Sequence, residues 1–184
     1  EKGINWFKDT LVTKYYRKPI NPLREEPVNK LIDYLGWQQQ NDKKWFVGLP
    51  LLSGRLTGEK KITIRKLVEK YNLDLRLTPN QDVLICNILN NNKNEIEFEL
   101  NNIGYGNLDN INEIQRHALA CPALPLCGLA MTEAERILPD ILERIDNLLQ
   151  SLKIEKTILF RITGCPNGCS RPYMAELALV GSGL

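Results

Sequence analysis

Four of the five cysteines in this 184-residue chain fall into two pairs that each open with Cys-Pro, and this arrangement constrains the chain more than any other feature. Cys121-Pro122 is followed by Cys127 after five intervening residues, Cys165-Pro166 by Cys169 after three, and 37 residues separate the pairs. The N-terminus lacks a signal-peptide core, so a secreted disulfide framework is disfavoured and clustered cysteines point to metal or redox chemistry. Zinc knuckles keep about two to four residues between ligands because each pair wraps one ion closely, and a spacing of five is awkward for that. Iron–sulfur clusters are larger, accept four thiolates at irregular spacings and often have Pro beside a ligand. Gly128, Gly164 and Gly168 leave room for backbone amides to approach inorganic sulfur. The chemistry favours a 4Fe-4S cluster, with zinc and redox or structural thiols left open. Cys86, alone in Val83-Leu84-Ile85-Cys86-Asn87-Ile88, reads as a small core hydrophobe.

The length suits one or two domains with a core of their own, and 43% hydrophobic with 25% charged residues are globular values rather than those of a disordered tail. No apolar run approaches the roughly 18 residues of a membrane helix. A soluble, intracellular protein is expected, cytoplasmic or in the plastid stroma. The chain starts at Glu1 without Met and stops at Leu184 straight after an apolar run, which suggests a piece of a longer polypeptide. Residues 1–70 hold 15 Lys/Arg against 8 Asp/Glu, while residues 71–184 hold 9 against 14. A basic half can attract an acidic partner, or it is simply a solvated face. Without an aromatic-interleaved basic stripe, no nucleic-acid partner is expected.

Three parts are expected along the chain. Residues 1–36 are Pro-punctuated and read as a connecting arm with a short helix over Val28 to Leu35. Residues 37–100 follow, with a strand at Trp45–Leu49, a turn at Ser53-Gly54, an amphipathic helix from Ile62 to Tyr71, and strands at Leu73–Thr78 and Val83–Leu89 around a Pro79-Asn80 bend. This β-α-β unit is about half of a ferredoxin-like fold. The Asn-rich passage Asn87–Asn102, with Ile96, Phe98 and Leu100 alternating, predicts a surface hairpin or loop. Residues 101–184 open with a helix capped by Asp109 and running to Ala118. Thr132-Glu133-Ala134-Glu135 predicts a capping box that opens a short helix, which Pro139 breaks or restarts. A buried strand at Thr157–Thr163 and a last strand at Ala175–Val180 complete an α+β fold.

The segments His117-Ala118-Leu119-Ala120-Cys121-Pro122-Ala123-Leu124-Pro125-Leu126-Cys127-Gly128 and Thr163-Gly164-Cys165-Pro166-Asn167-Gly168-Cys169-Ser170-Arg171-Pro172-Tyr173-Met174-Ala175-Glu176 resemble the sirohaem and 4Fe-4S signature of assimilatory sulfite reductases. Asp74-Leu75-Arg76-Leu77-Thr78-Pro79-Asn80-Gln81-Asp82 resembles the ferredoxin-like half-domain that precedes it in the sulfite/nitrite reductase repeat. The resemblance covers about residues 28–181 and implies an α/β cofactor domain after the half-domain. It also implies a 4Fe-4S cluster on Cys121, Cys127, Cys165 and Cys169, with Cys169 shared with a sirohaem iron where sulfite is reduced by six electrons to sulfide. Asn167, Asn80 and Gln81 would contact the macrocycle, and Arg76 or Arg161 would pair with its carboxylates. Arg76 reads equally as a solvent-facing strand position, and Asn80-Gln81 as a simple bend. His117 is expected to be a helix-end side chain with a satisfied hydrogen bond, and Tyr173 and Met174 to pack around the cofactor.

The family's principal sulfite-binding residues lie in a first repeat that this chain lacks, so the resemblance implies an enzyme whose isolated piece is inactive. The implied partners are sulfite, an electron-donor ferredoxin or flavoprotein subunit, with ferredoxin favoured, and the N-terminal half of the same polypeptide. Two alternatives stand beside this reading: a nitrite reductase of the same family, and a non-enzymatic zinc or iron–sulfur binding module.

Overall fold

The structure is a computed structural model that describes residues 2–16, 33–154 and 156–183. The chain divides into two compact units, Glu1–Leu31 and Ile32–Leu184. In the first unit, α1 (Gly3–Thr10) continues into a wider helical turn over Leu11–Tyr16, a helix within the expected connecting arm that no local signal predicted. Most of the helix expected over Val28 to Leu35 lies outside the described residues, and Asp33–Leu35 are not helical.

The second unit opens with a four-stranded antiparallel sheet in the order β1-β2-β4-β3, formed by β1 (Gly36–Gln39), β2 (Trp45–Leu49), β3 (Asp74–Leu77) and β4 (Val83–Ile88). Strand β4 inserts antiparallel between β2 and β3, and α2 (Gly58–Tyr71) links the latter two. The expected unit is therefore a split β-α-β with an extra hairpin strand. That strand, β1, was missed because Gly36-Trp37-Gln38-Gln39 carries one apolar side chain and gives no alternation to read. Gly48 of β2 sits under the backbone of Tyr34, where a Cβ would overlap the Tyr34 carbonyl. In α2, Ile64 and Leu67 are buried and Val68 partly so, as their spacing predicts.

The Asn-rich passage is a helix, α3 (Lys93–Leu100), rather than a hairpin or loop. Ile96 and Leu100 lie one turn apart and are buried, whereas Phe98 is 63% exposed. The same residues satisfy a period of two and an i, i+4 pair, and burial against α2 and the sheet chose the latter. Two more expectations are corrected. Asp109 lies in a single turn over Leu108–Asn110, and the following helix, α4, is only Glu113–Arg116 with Asn112 at its N-cap. Thr132–Ala134 are not helical, and the Thr132 hydroxyl donates to the adjacent Glu133 carbonyl instead of capping. Helix α5 (Leu138–Ser151) has Pro139 in its first turn, where the missing N–H is harmless, so the proline starts this helix.

Strands β5 (Leu119–Ala120), β6 (Phe160–Thr163) and β7 (Leu177–Val180) make a parallel sheet in that order. The β5-to-β6 connection carries α5, the helical crossover that a parallel pair requires. Phe160, Ile162, Leu138 and Leu142 are buried in its core. The whole is α+β, with an α/β layer following the antiparallel half-domain.

Candidate functional site

Parallel strands put successive C-terminal ends at one edge of the sheet, and loops leaving that edge are where ligands bind in such layers. Here Cys121 follows directly on β5 and Cys165 lies two residues beyond β6, so the strand ladder brings both cysteines to one edge. Both are buried, Cys127 is half-buried in the loop after β5, and Cys169 is exposed in the loop after β6. Among the described residues, no three of the His, Cys, Asp and Glu side chains form a group that could hold a metal ion.

The backbone around these sulfurs is closely fitted. The Gly164 N–H donates to Cys121 Sγ at 3.2 Å. The Thr163 hydroxyl lies 3.5 Å from the same sulfur and 3.4 Å from the Cys165 carbonyl, with one proton to give to either. The Gly164 carbonyl accepts from Met131 and Thr132 at 2.7 and 3.1 Å, which ties the two cysteine loops together. A Cβ on Gly164 would stand 2.6 Å from Ala123 Cβ and 2.8 Å from the Thr132 carbonyl oxygen, and one on Gly181 would overlap Gly164 and Thr132. Gly168 uses a positive φ of 69° in the second loop. Gly181 was missed in the sequence, where it reads only as the end of an apolar strand. The Gly164 amide on Cys121 Sγ and the glycine-lined loops are features that would suit an iron–sulfur cluster, in which N–H groups pointing at sulfur are a usual means of tuning, although the thiols of the described residues are not gathered into one group.

The other expected residues divide. Gln81 and Asn80 sit in the β3–β4 turn beside the cysteine loops, and Gln81 Nε2 donates to the Ala120 carbonyl at 2.9 Å. The Gln81 Oε1 is buried without a partner among the described residues, as is Ser53 Oγ, and both residues line a cavity of about 330 Å³ with Asp82, Pro122, Arg55 and Glu135. Burial pushes the Asp82 carboxyl up to about 6, against a hydrogen bond from the Leu51 amide that favours its charge. Asn167 is exposed beside Cys165, and Arg76 is exposed on the edge strand β3.

Arg161 is buried to 6% exposure, and its Nη1 donates to the His117 and Phe160 carbonyls. Burial, then the nearby Arg171 charge, lowers its pKa to about 10. His117 follows directly on α4 at its C-cap, as expected of a helix-end side chain, and is 2% exposed, with Nε2 unpartnered among the described residues. Burial pushes its pKa down, opposed by Asp33 and Glu113 and assisted by Arg161 and Arg116. Tyr173 and Met174 are 71% and 76% exposed, with the Tyr173 ring over Gly168. Cys86 is a core residue, its thiol pushed up by burial.

A split β-α-β half-domain followed by a parallel layer with cysteine loops at its C-terminal edge defines an α+β protein of the ferredoxin-like half-domain type. Residues 38–103 match the family model of the nitrite/sulfite reductase ferredoxin-like half domain. The chain is 46% identical to a sulfite reductase (ferredoxin) of Synechococcus elongatus over 98% of its own length and 30% of that protein's. It is 37% identical to a sulfite reductase (NADPH) hemoprotein beta-component of Myxococcus xanthus, over 98% of this chain and 33% of that one. The solved structure of the Mycobacterium tuberculosis NirA protein superposes with a TM-score of 0.70 at 26% identity, covering 93% of this chain and 32% of that one. The chain belongs to the sulfite/nitrite reductase family, and it spans about a third of the length of the relatives it matches. No helix among the described residues is long and apolar enough to cross a membrane.

Proposed function

We propose that this chain is the cluster-carrying part of a sulfite reductase that takes sulfite to sulfide by six electrons. The observation that supports this most is the placement of Cys121 and Cys165 at one edge of the parallel sheet, with the Gly164 amide on Cys121 Sγ. Cys121, Cys127, Cys165 and Cys169 would hold a 4Fe-4S cluster, and Cys169, the exposed member, would be shared with a sirohaem iron. When bound, the two groups supply the stored electrons and the iron at which sulfite is reduced. The chain's own residues supply the rest. The Gly164 N–H offsets charge on the Cys121 sulfur, and the apolar core beneath β5 and β6 keeps water from the buried thiols. Asn80 and Asn167 would present amides to a macrocycle, Gln81, whose Nε2 is committed to the Ala120 carbonyl, would have only its Oε1 to offer, and exposed Arg76 would pair with a carboxylate. Arg161, buried and donating to backbone carbonyls, suits holding the His117 segment more than reaching a ligand.

The names of the relatives favour sulfite over nitrite, and that of the Synechococcus protein favours a ferredoxin as donor. A cytoplasmic or stromal setting fits such a donor, and the remainder of the polypeptide is the partner that completes the anion pocket. Iron and acid-labile sulfide analysis with an absorbance spectrum, on protein prepared without oxygen, tests the reading: about four of each per chain is expected. A chain that retains zinc or no metal at all would sink it.

A further inference from the structure

The turn between β3 and β4 is bonded to both cysteine loops. Gln81 Nε2 donates to the carbonyl of Ala120, the residue before Cys121, at 2.9 Å. Arg171, two residues after Cys169, donates from Nη2 to the carbonyl of Pro79 at 2.7 Å. Within this turn Pro79 thus receives one loop and Gln81 grips the other. Both donors hold left-handed backbone, with φ of +68° at Gln81 and +59° at Arg171. Non-glycine residues keep that conformation where the surroundings over-determine it. Gly54 makes room for the arrangement, since a Cβ there would stand 3.3 Å from Gln81 Cβ.

We propose that Gln81 and Arg171 are positioning residues: they clasp the two cysteine loops to the β3–β4 turn and fix the separation of the thiol pairs. The strand ladder ends at Cys121, whose N–H donates to the Ile162 carbonyl at 3.2 Å, because β5 is only two residues long. The loop after β6 is steadied from outside by the Arg171 bond, and the Gln81 bond adds a second hold on the last residue of β5, beside Cys121. The purpose of the clasp rests on the cluster reading above, but the bonds are made within the chain itself, so they are open to test without a cluster.

The test is the alkylation rate of each cysteine by iodoacetamide, read by mass spectrometry on the chain free of metal. Gln81→Glu is isosteric and removes the donor, Arg171→Ala removes the other, and Arg171→Lys keeps a cationic donor. Each donor-less variant is expected to alkylate buried Cys121 and Cys165 roughly fivefold faster, the net worth of about one hydrogen bond, with Arg171→Lys returning most of the protection. Cys86 in the half-domain core is the internal control and should not change. Unchanged rates at Cys121 and Cys165, or a rise shared equally by Cys86, would overturn the clasp. With iron and sulfide supplied, Gln81→Glu should also lose its visible absorbance to a chelator several times faster than wild type, and equal loss counts against the proposal. A wild-type chain that takes up no iron defeats the cluster reading instead, so the two failures are told apart.

Discussion

The Gly164 amide points at the Cys121 sulfur from 3.2 Å, across two strands that are 40 residues apart in the chain. No side chain larger than hydrogen fits at this residue, since a Cβ would press on Ala123 and the Thr132 carbonyl. Gly164→Ala should cost about 1–3 kcal/mol by overpacking. Gly128→Ala in the neighbouring loop should be near neutral, because nothing lies within 4 Å of a Cβ there. Urea unfolding of the two variants compares them directly, and equal midpoints would show that the loops yield freely.

Replacing any one of Cys121, Cys127, Cys165 or Cys169 by Ala should prevent full cluster assembly, while Cys86→Ala should leave iron content intact. Iron and sulfide counts on the five variants decide it. A four-iron content in Cys165→Ala would remove that residue from the ligand set.

Asp82 and His117 should pull stability in opposite directions with pH. The native Asp82 pKa of about 6 lies above the ordinary 3.8, so the carboxyl contributes no penalty below pH 3.8 and destabilises increasingly as pH rises to 6. The gap corresponds to about 3 kcal/mol, and partial exposure discounts it to roughly 1–2. Asp82→Asn keeps an acceptor for the Leu51 amide and should gain stability over wild type between pH 4 and 7. His117 is held below its ordinary 6.5 by burial, so its contribution is lost as pH falls through that value, and His117→Gln should flatten the loss. Denaturant midpoints from pH 4 to 8 carry both signs.

Helix α3 predicts a pattern that the expected hairpin does not. Ile96→Ala and Leu100→Ala should each cost about 2–5 kcal/mol, and Phe98→Ala should stay within about 0.5. Thermal or denaturant unfolding giving Phe98 a cost equal to its neighbours would contradict the helical face.

An acidic electron donor should meet the exposed face of α2. Arg65 is already paired with Glu69 at 2.7 Å, and Lys60 lies 4.4 Å over the Tyr105 ring, which leaves Lys61 and Lys66 as the least engaged cations there. Lys61→Glu/Lys66→Glu should weaken binding of an acidic ferredoxin at low salt, and the difference should fade as salt is raised past about 0.1 M. Affinity unmoved by both changes would leave this helix without a role in electron delivery.

The α2 helix and strands β2, β4 and β6 were legible because apolar periodicity is a local property of the chain, and the cysteine pairing, on which the proposed ligand set rests, is likewise a local pattern. Local signals failed where two periods coincide, as at Ile96, Phe98 and Leu100, and where a motif has no helix to serve, as at Thr132–Glu135. Arg161 illustrates the same limit: its strand reads as buried, yet only the fold shows the guanidinium donating inward to the His117 carbonyl. The sequence by itself determined where thiols stand in pairs along the chain and which segments would be apolar enough to bury. The tertiary structure decided that the two cysteine loops leave one edge, because a parallel pairing through α5 brings the C-terminal ends of β5 and β6, 43 residues apart in the chain, side by side. It also decided that the Pro79–Gln81 turn reaches both loops. Contacts over 39 and 92 residues depend on chain closure and packing, which no local pattern encodes.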